Sequence, residues 1–124
     1  MKARGKAIYP FVPSGADFDA AIAFFKELGF ETVWKGDGFA GLRFGDAYFM
    51  LQDIDVPAWQ KNQMMTLEVD DLDGYWQAID SLALPATHKG VRTRPPTDFP
   101  WGREVHIIDP AGVCWHVRQS ASSG

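Results

Sequence analysis

The sequence predicts an α+β chain: two strand-helix-strand-strand-strand (βαβββ) modules forming a curved mixed sheet around a cleft, with the helices on the outer face. Three observations predict it. Two amphipathic stretches open on matching triplets, Asp17-Phe18-Asp19 and Asp71-Leu72-Asp73, 54 residues apart. Each follows a short strand-like run, AIYPFVP before the first and MMTLEVD before the second. Each is followed by strand-like pieces ending in a hairpin. Two copies at so long a period exclude a solenoid.

In DFDAAIAFFKELGF, Asp17 caps a helix, Phe18, Ile22, Phe25 and Leu28 form its stripe, and Gly29 ends it in the left-handed conformation. ETVWK reads as the next strand, and Gly45-Asp46 turns the hairpin of GLRFGDAYFMLQ. Module one thus spans about residues 6–52, and residues 53–63 connect it to module two at about 64–119, within one domain of residues 1–124. In DDLDGYWQAIDSLAL, Asp71 is the cap and Leu72, Trp76, Ile79 and Leu82 the stripe. A strand is expected after LALPATHKG, and the Pro-rich VRTRPPTDFPW reads as a loop over one end of the sheet. The tail SASSG reads as loose.

The last hairpin, REVHIIDPAGVCWHVRQ, sets the sidedness. If Gly112 is left-handed and closes a type I turn with a bulge, Asp109 pairs with Val113 and His106 lies opposite His116. One face then collects Val105, Ile107, Val113, Trp115 and Val117; the other collects Glu104, His106, Ile108, Cys114, His116 and Arg118. A two-residue turn would mix the two sets, so the bulged register is preferred. Ala47, Phe49 and Leu51 likewise separate from Tyr48, Met50 and Gln52, and Met65, Leu67 and Val69 from Met64, Thr66 and Glu68. The apolar rows pack on helices; the other rows line the cleft.

Composition narrows the function. The chain has 124 residues, 46% hydrophobic and 23% charged, which is one globular domain able to bury its own core. A net charge of −4 disfavours a nucleic-acid surface, and no run reaches membrane-spanning length. The lone Cys114 excludes an intramolecular disulfide and a Cys-rich zinc site. The basic start, MKARGKAIYPFVPSG, carries no apolar signal core, so a cytoplasmic location is expected. Five Trp exceed what a small core needs, so some are expected at a ligand site or interface.

The paired modules, DFDAAIAFFKELGFE, EVDDLDGYW and PWGREVHIIDPAGVCWHVRQ together resemble the vicinal oxygen chelate superfamily of glyoxalase I, bleomycin-resistance proteins and extradiol dioxygenases. The VPS and DFD…AFF…LGF opening, with the WG then DPAG ending, is most similar to the bleomycin-resistance branch. The resemblance covers roughly residues 6–119. It implies that metal-dependent members carry ligands at positions falling here near Tyr9 or Pro10, near Met50, near Met64 and at His116. Thioether sulfur does not suit Zn, Mg or Fe(II), so no metal and no cofactor is expected. The resistance branch implies a homodimer that sequesters a cationic drug in clefts.

The expected ligand-binding residues are Tyr48, Met50, Met64, Thr66, Glu68, Trp101, Glu104, His106 and His116. His106 and His116 admit three readings: a hydrogen-bonded cleft wall, which is favoured, an acid/base pair, or two metal ligands with Glu104 as the third. Glu68 and Glu104 either hold a cationic ligand group or pair with Arg118 or Arg103. Trp34 and Trp59 read as packing or dimer contacts, and His88 as a loop residue. The leading expectation is a metal-free protein binding a small, cationic aromatic molecule, acting as a homodimer without nucleic acid or membrane. The rival is a glyoxalase-type lyase or isomerase working through His106 and His116.

Overall fold

The computed structural model describes residues 2–120, so the SASSG tail lies outside the described residues from residue 121 onward. Module one comprises β1 (Phe11–Pro13), α1 (Phe18–Glu27), β2 (Glu31–Gly36), β3 (Phe39–Phe44) and β4 (Ala47–Gln52). A short α2 (Pro57–Gln60) sits in the connection. Module two comprises β5 (Met64–Val69), α3 (Leu72–Asp80), a one-turn α4 (Leu84–Thr87), β6 (Arg92–Phe99), β7 (Gly102–Ile108) and β8 (Cys114–Gln119). Each module makes its own four-stranded sheet, ordered β1-β4-β3-β2 and β5-β8-β7-β6. In both, the first strand runs parallel to the last and the others pair antiparallel.

Both long helices start as the sequence predicts. The Asp17 carboxylate accepts from the Ala20 N–H at 3.0 Å, and Asp71 from that of Gly74 at 3.0 Å. Gly29 takes φ +107° directly after α1. The stripes are rotated from expectation: Ala21, Phe24, Phe25 and Leu28 are buried, whereas Phe18 and Ile22 are half-buried. Leu82 is exposed because α3 ends at Asp80, before another turn could carry it inward.

Two strands depart from the sequence reading. The AIYPFVP run forms a ladder only from Phe11, since Pro10 has no N–H to donate, and Ile8 is 92% exposed. The Pro-rich segment expected to be a loop is strand β6. It occupies a sheet edge, and the register slips between Arg94 and Thr97, so Pro95 and Pro96 fall where the ladder asks nothing of them.

A single core joins the modules. Trp115 of β8 sits 5.3 Å from Phe25 of α1 and 5.1 Å from Phe49 of β4, ring centre to ring centre. Of the apolar rows predicted for each sheet, Phe49, Leu51, Leu67, Val69, Val105, Ile107, Val113, Trp115 and Val117 belong to it, and Ala47 and Met65 pack half-buried against it. The linker closes over this junction through Gln60, buried, whose amide donates to the Ala111 carbonyl at 2.9 Å.

Because both apolar faces turn toward one core, the other face of each sheet turns away from it. The two rows expected to face each other across one hollow therefore lie on separate outward faces within a single chain. Pairing the modules through their apolar faces leaves no other arrangement.

Candidate functional site

The final hairpin builds the densest polar cluster. Gly112 adopts φ +99° and its N–H bonds the Asp109 carbonyl at 3.0 Å, while the Asp109 N–H reaches the Val113 carbonyl at 3.0 Å. This is the bulged turn, and it sets His106 opposite His116 and Glu104 opposite Arg118. The two imidazole rings stand 4.3 Å apart, centre to centre. Both address one oxygen: His106 Nε2 lies 2.9 Å and His116 Nδ1 3.0 Å from Glu104 Oε1. An ionised carboxylate only accepts, so each nitrogen carries its proton and donates. The two histidines are thus joined by hydrogen bonds through Glu104.

Glu104 is buried, with 3% of its surface exposed. Burial works to raise its pKa, but hydrogen bonds from His106, His116 and Trp101, with the charge of His116, override it and hold the group down at about 2. Folded-state depression of an acid adds stability above its ordinary value and loses it below. The contribution, on the order of 3 kcal/mol at neutral pH, is therefore complete above about pH 4.5 and lost as pH falls toward about 2. Acid unfolding of a Glu104→Gln variant is expected to show a flatter loss of stability over that window than wild type.

Around this cluster lies an aromatic ladder. His106 stacks on Phe99 at 4.9 Å and 16°, and Phe99 on Trp101 at 4.9 Å and 7°. Trp101, in the turn between β6 and β7, is largely exposed and presents its outer ring face to solvent. Cys114 Sγ approaches His116 Nε2 at 3.6 Å, and burial raises the thiol pKa, so Cys114 is a protonated neighbour and no nucleophile. Glu68 does not stand free: Arg118 bonds it at 3.0 Å, as one of the two sequence readings had it. Met64 and Thr66 extend the same face along edge strand β5, and Met64 is exposed. A cavity of about 290 Å³ opens here between Glu68, Trp101, Glu104 and Arg118.

The first sheet's outward face carries Tyr48 and Met50, together with residues outside the expected ligand-binding set. Trp34 Nε1 donates to the Tyr48 hydroxyl at 2.6 Å, Arg43 lies 5.1 Å over the Tyr48 ring, and Tyr9 meets that ring edge-on at 4.9 Å. Trp34 pairs with Gly41 across the ladder, and the two rings occupy the space a Cβ at Gly41 would need. The register of β2 slips between Thr32 and Trp34, so counting alternate residues from the strand start does not reveal which way Trp34 faces.

Tyr48 and Met50 thus sit on one sheet, and Met64, Thr66, Glu68, Trp101, Glu104, His106 and His116 on the other. The positions that the resemblance assigns to metal ligands fall near Tyr9 or Pro10, Met50, Met64 and at His116; one nitrogen and two thioethers divided between two sheets do not fit a hard or borderline cation. Among the described residues, no helix is long and apolar enough to cross a membrane.

No family model matches the chain. It is 29% identical over 117 residues, 90% of each chain, to a bleomycin resistance protein of Klebsiella pneumoniae. The structure superposes on a bleomycin-binding protein complexed with bleomycin with a TM-score of 0.81, at 26% identity over 94% of this chain and 100% of that one. The bleomycin-binding protein of bleomycin-producing Streptomyces verticillus, complexed with copper(II)-bleomycin, gives 0.78 at 25% identity over 96% and 99%. With two βαβββ modules, a shared core and these matches along nearly its whole length, the chain is a homologue of bleomycin resistance proteins, and its structural neighbours include a protein of the glyoxalase/bleomycin resistance protein/dioxygenase superfamily.

Proposed function

We propose that this protein sequesters a small molecule, a cationic aromatic compound of the bleomycin kind, and releases it unchanged. One observation carries the reading: each sheet turns outward a row of aromatic, thioether and polar groups that the core does not use, on a chain matching a bleomycin-bound relative end to end. A planar cation would stack on Trp101 or Tyr48 and settle near ionised Glu104. Because the two rows look away from a common core, the enclosing cleft comes from two copies, the first-sheet face of one against the second-sheet face of the other. Exposed Phe11, Met64 and Trp101 would be covered in that homodimer.

Titration with bleomycin is expected to give saturable binding, with the drug recovered at its original mass. At a hundredfold excess over Kd, stabilisation of about 2.7 kcal/mol should raise Tm by roughly 10 °C. The absence of both heat of binding and thermal shift with bleomycin would overturn this choice of ligand, and a monomer in sedimentation would overturn the shared cleft. The second reading, a lyase or isomerase, draws on the 4.3 Å approach of His106 and His116. Compound recovered chemically altered would establish it.

A further inference from the structure

We propose that Glu104, His106 and His116 form a binding site for a divalent transition metal, one that shares only His116 with the positions its chelating relatives use. One carboxylate oxygen and two imidazole nitrogens, all within 4.8 Å of one another, converge on the outward face of the β7–β8 hairpin. Metal–ligand bonds of about 2.1 Å with right-angle geometry hold neighbouring ligand atoms about 3.0 Å apart. The two oxygen–nitrogen separations are 2.9 and 3.0 Å. Two histidines and a carboxylate on one face leave the remaining positions of the ion open, as in facial-triad sites.

Charge supplies the second argument. A carboxylate this deeply buried needs a positive counterpart. Arg118, directly across the ladder from Glu104, is bonded instead to Glu68, and Arg103, the next residue back, to Asp73 at 2.8 Å. Glu104 is left to the histidines and the Trp101 indole. A divalent ion lying between the three ligand atoms meets that need directly.

The surroundings hold the ligands in place. His106 is stacked flat on Phe99, which fixes its ring plane, and His116 rests by its other nitrogen against Cys114. Both imidazoles are about one-fifth exposed, so an ion enters from the open side and finds Glu104 beneath. On binding, the two N–H protons now donated to Glu104 give way to the metal. Each ring then binds the ion through the nitrogen that now faces Glu104 and keeps a proton on its far nitrogen, so His116 Nε2–H faces the Cys114 sulfur. Imidazole donors select Zn(II), Cu(II) or Ni(II) over Mg(II).

The test uses the metals alone, which keeps it apart from the ligand reading. Equilibrium dialysis of the full chain with Zn(II) is expected to give one ion per chain, and Mg(II) none. His106→Ala and His116→Ala should each weaken Zn(II) binding by about tenfold or more, while His88→Ala leaves it unchanged. Cobalt(II) should give visible d–d absorption that both cluster variants lose. Circular dichroism reports whether those variants fold; should either fail, His106→Gln and His116→Gln, closer in size, carry the same expectation. Absence of stoichiometric Zn(II) binding by wild type, or binding that survives in folded variants of both histidines, overturns the proposal.

Discussion

Phe25→Ala is expected to lower the unfolding free energy by about 3–5 kcal/mol. Phe25 is 1% exposed, and its ring meets Phe24, Phe30, Phe49 and Trp115 at 5.0–5.9 Å between centres. Those partners come from α1 itself, the residue just before β2, β4 and β8, so the cavity would open where the two modules meet. Rigid aromatic neighbours from four directions cannot collapse into it, which places the cost toward the upper end for this kind of change. Urea unfolding should show a lower midpoint at unchanged slope if the fold stays cooperative. A slope that also falls would mean the modules had begun to separate, and a loss under about 1 kcal/mol would show that the ring is not the keystone of the junction.

Asp109→Ala should cost about 3 kcal/mol or more, through a different mechanism. One oxygen accepts from the N–H groups of Ala111, Gly112 and Val113, at 2.9, 3.0 and 3.0 Å; the other accepts from Trp115 Nε1 at 2.9 Å. Alanine would leave the buried indole and the Val113 N–H without acceptors. Asp109→Asn keeps one acceptor oxygen and should cost less. The pH behaviour opposes that of Glu104. Burial raises Asp109 from 3.8 to about 6 against the pull of its four donors, so the folded chain holds a proton that the unfolded chain has released. Its contribution to stability therefore falls as pH rises from about 4 to about 6. Stability curves of wild type and Asp109→Asn should differ in slope across that interval and run parallel above it.

Much of this architecture was legible because local rules and global packing agree. The two Asp caps, the βαβββ order and the His106–His116 register follow from capping chemistry, period-two alternation and the Asp-Pro-Ala-Gly turn. The misses have physical reasons too. Period counting placed Phe18 and Ile22 in one stripe with Phe25 and Leu28, but the second module meets α1 at Phe24 and Phe25, through His88 and Trp115. Pro95 and Pro96 argued for a loop, and an edge strand with a register slip absorbs both. Pairwise logic brought His106 to His116, whereas burial of Glu104 between them depends on which side chains cover the hairpin. Gln60, one amide in a polar linker, gave no sign that it would lock the modules together. The hardest question was which way the modules join, because alternation sorts the faces of a strand without saying which partner meets them.

Gly41 has a consequence for inheritance. The indole of Trp34 and the phenol of Tyr48 can lie across β3 only because that residue carries no side chain. Every glycine codon is one base change from an alanine codon. The strand itself would tolerate the extra methyl, so a lineage could lose its aromatic shelf in one step while the protein still accumulated normally in the cell.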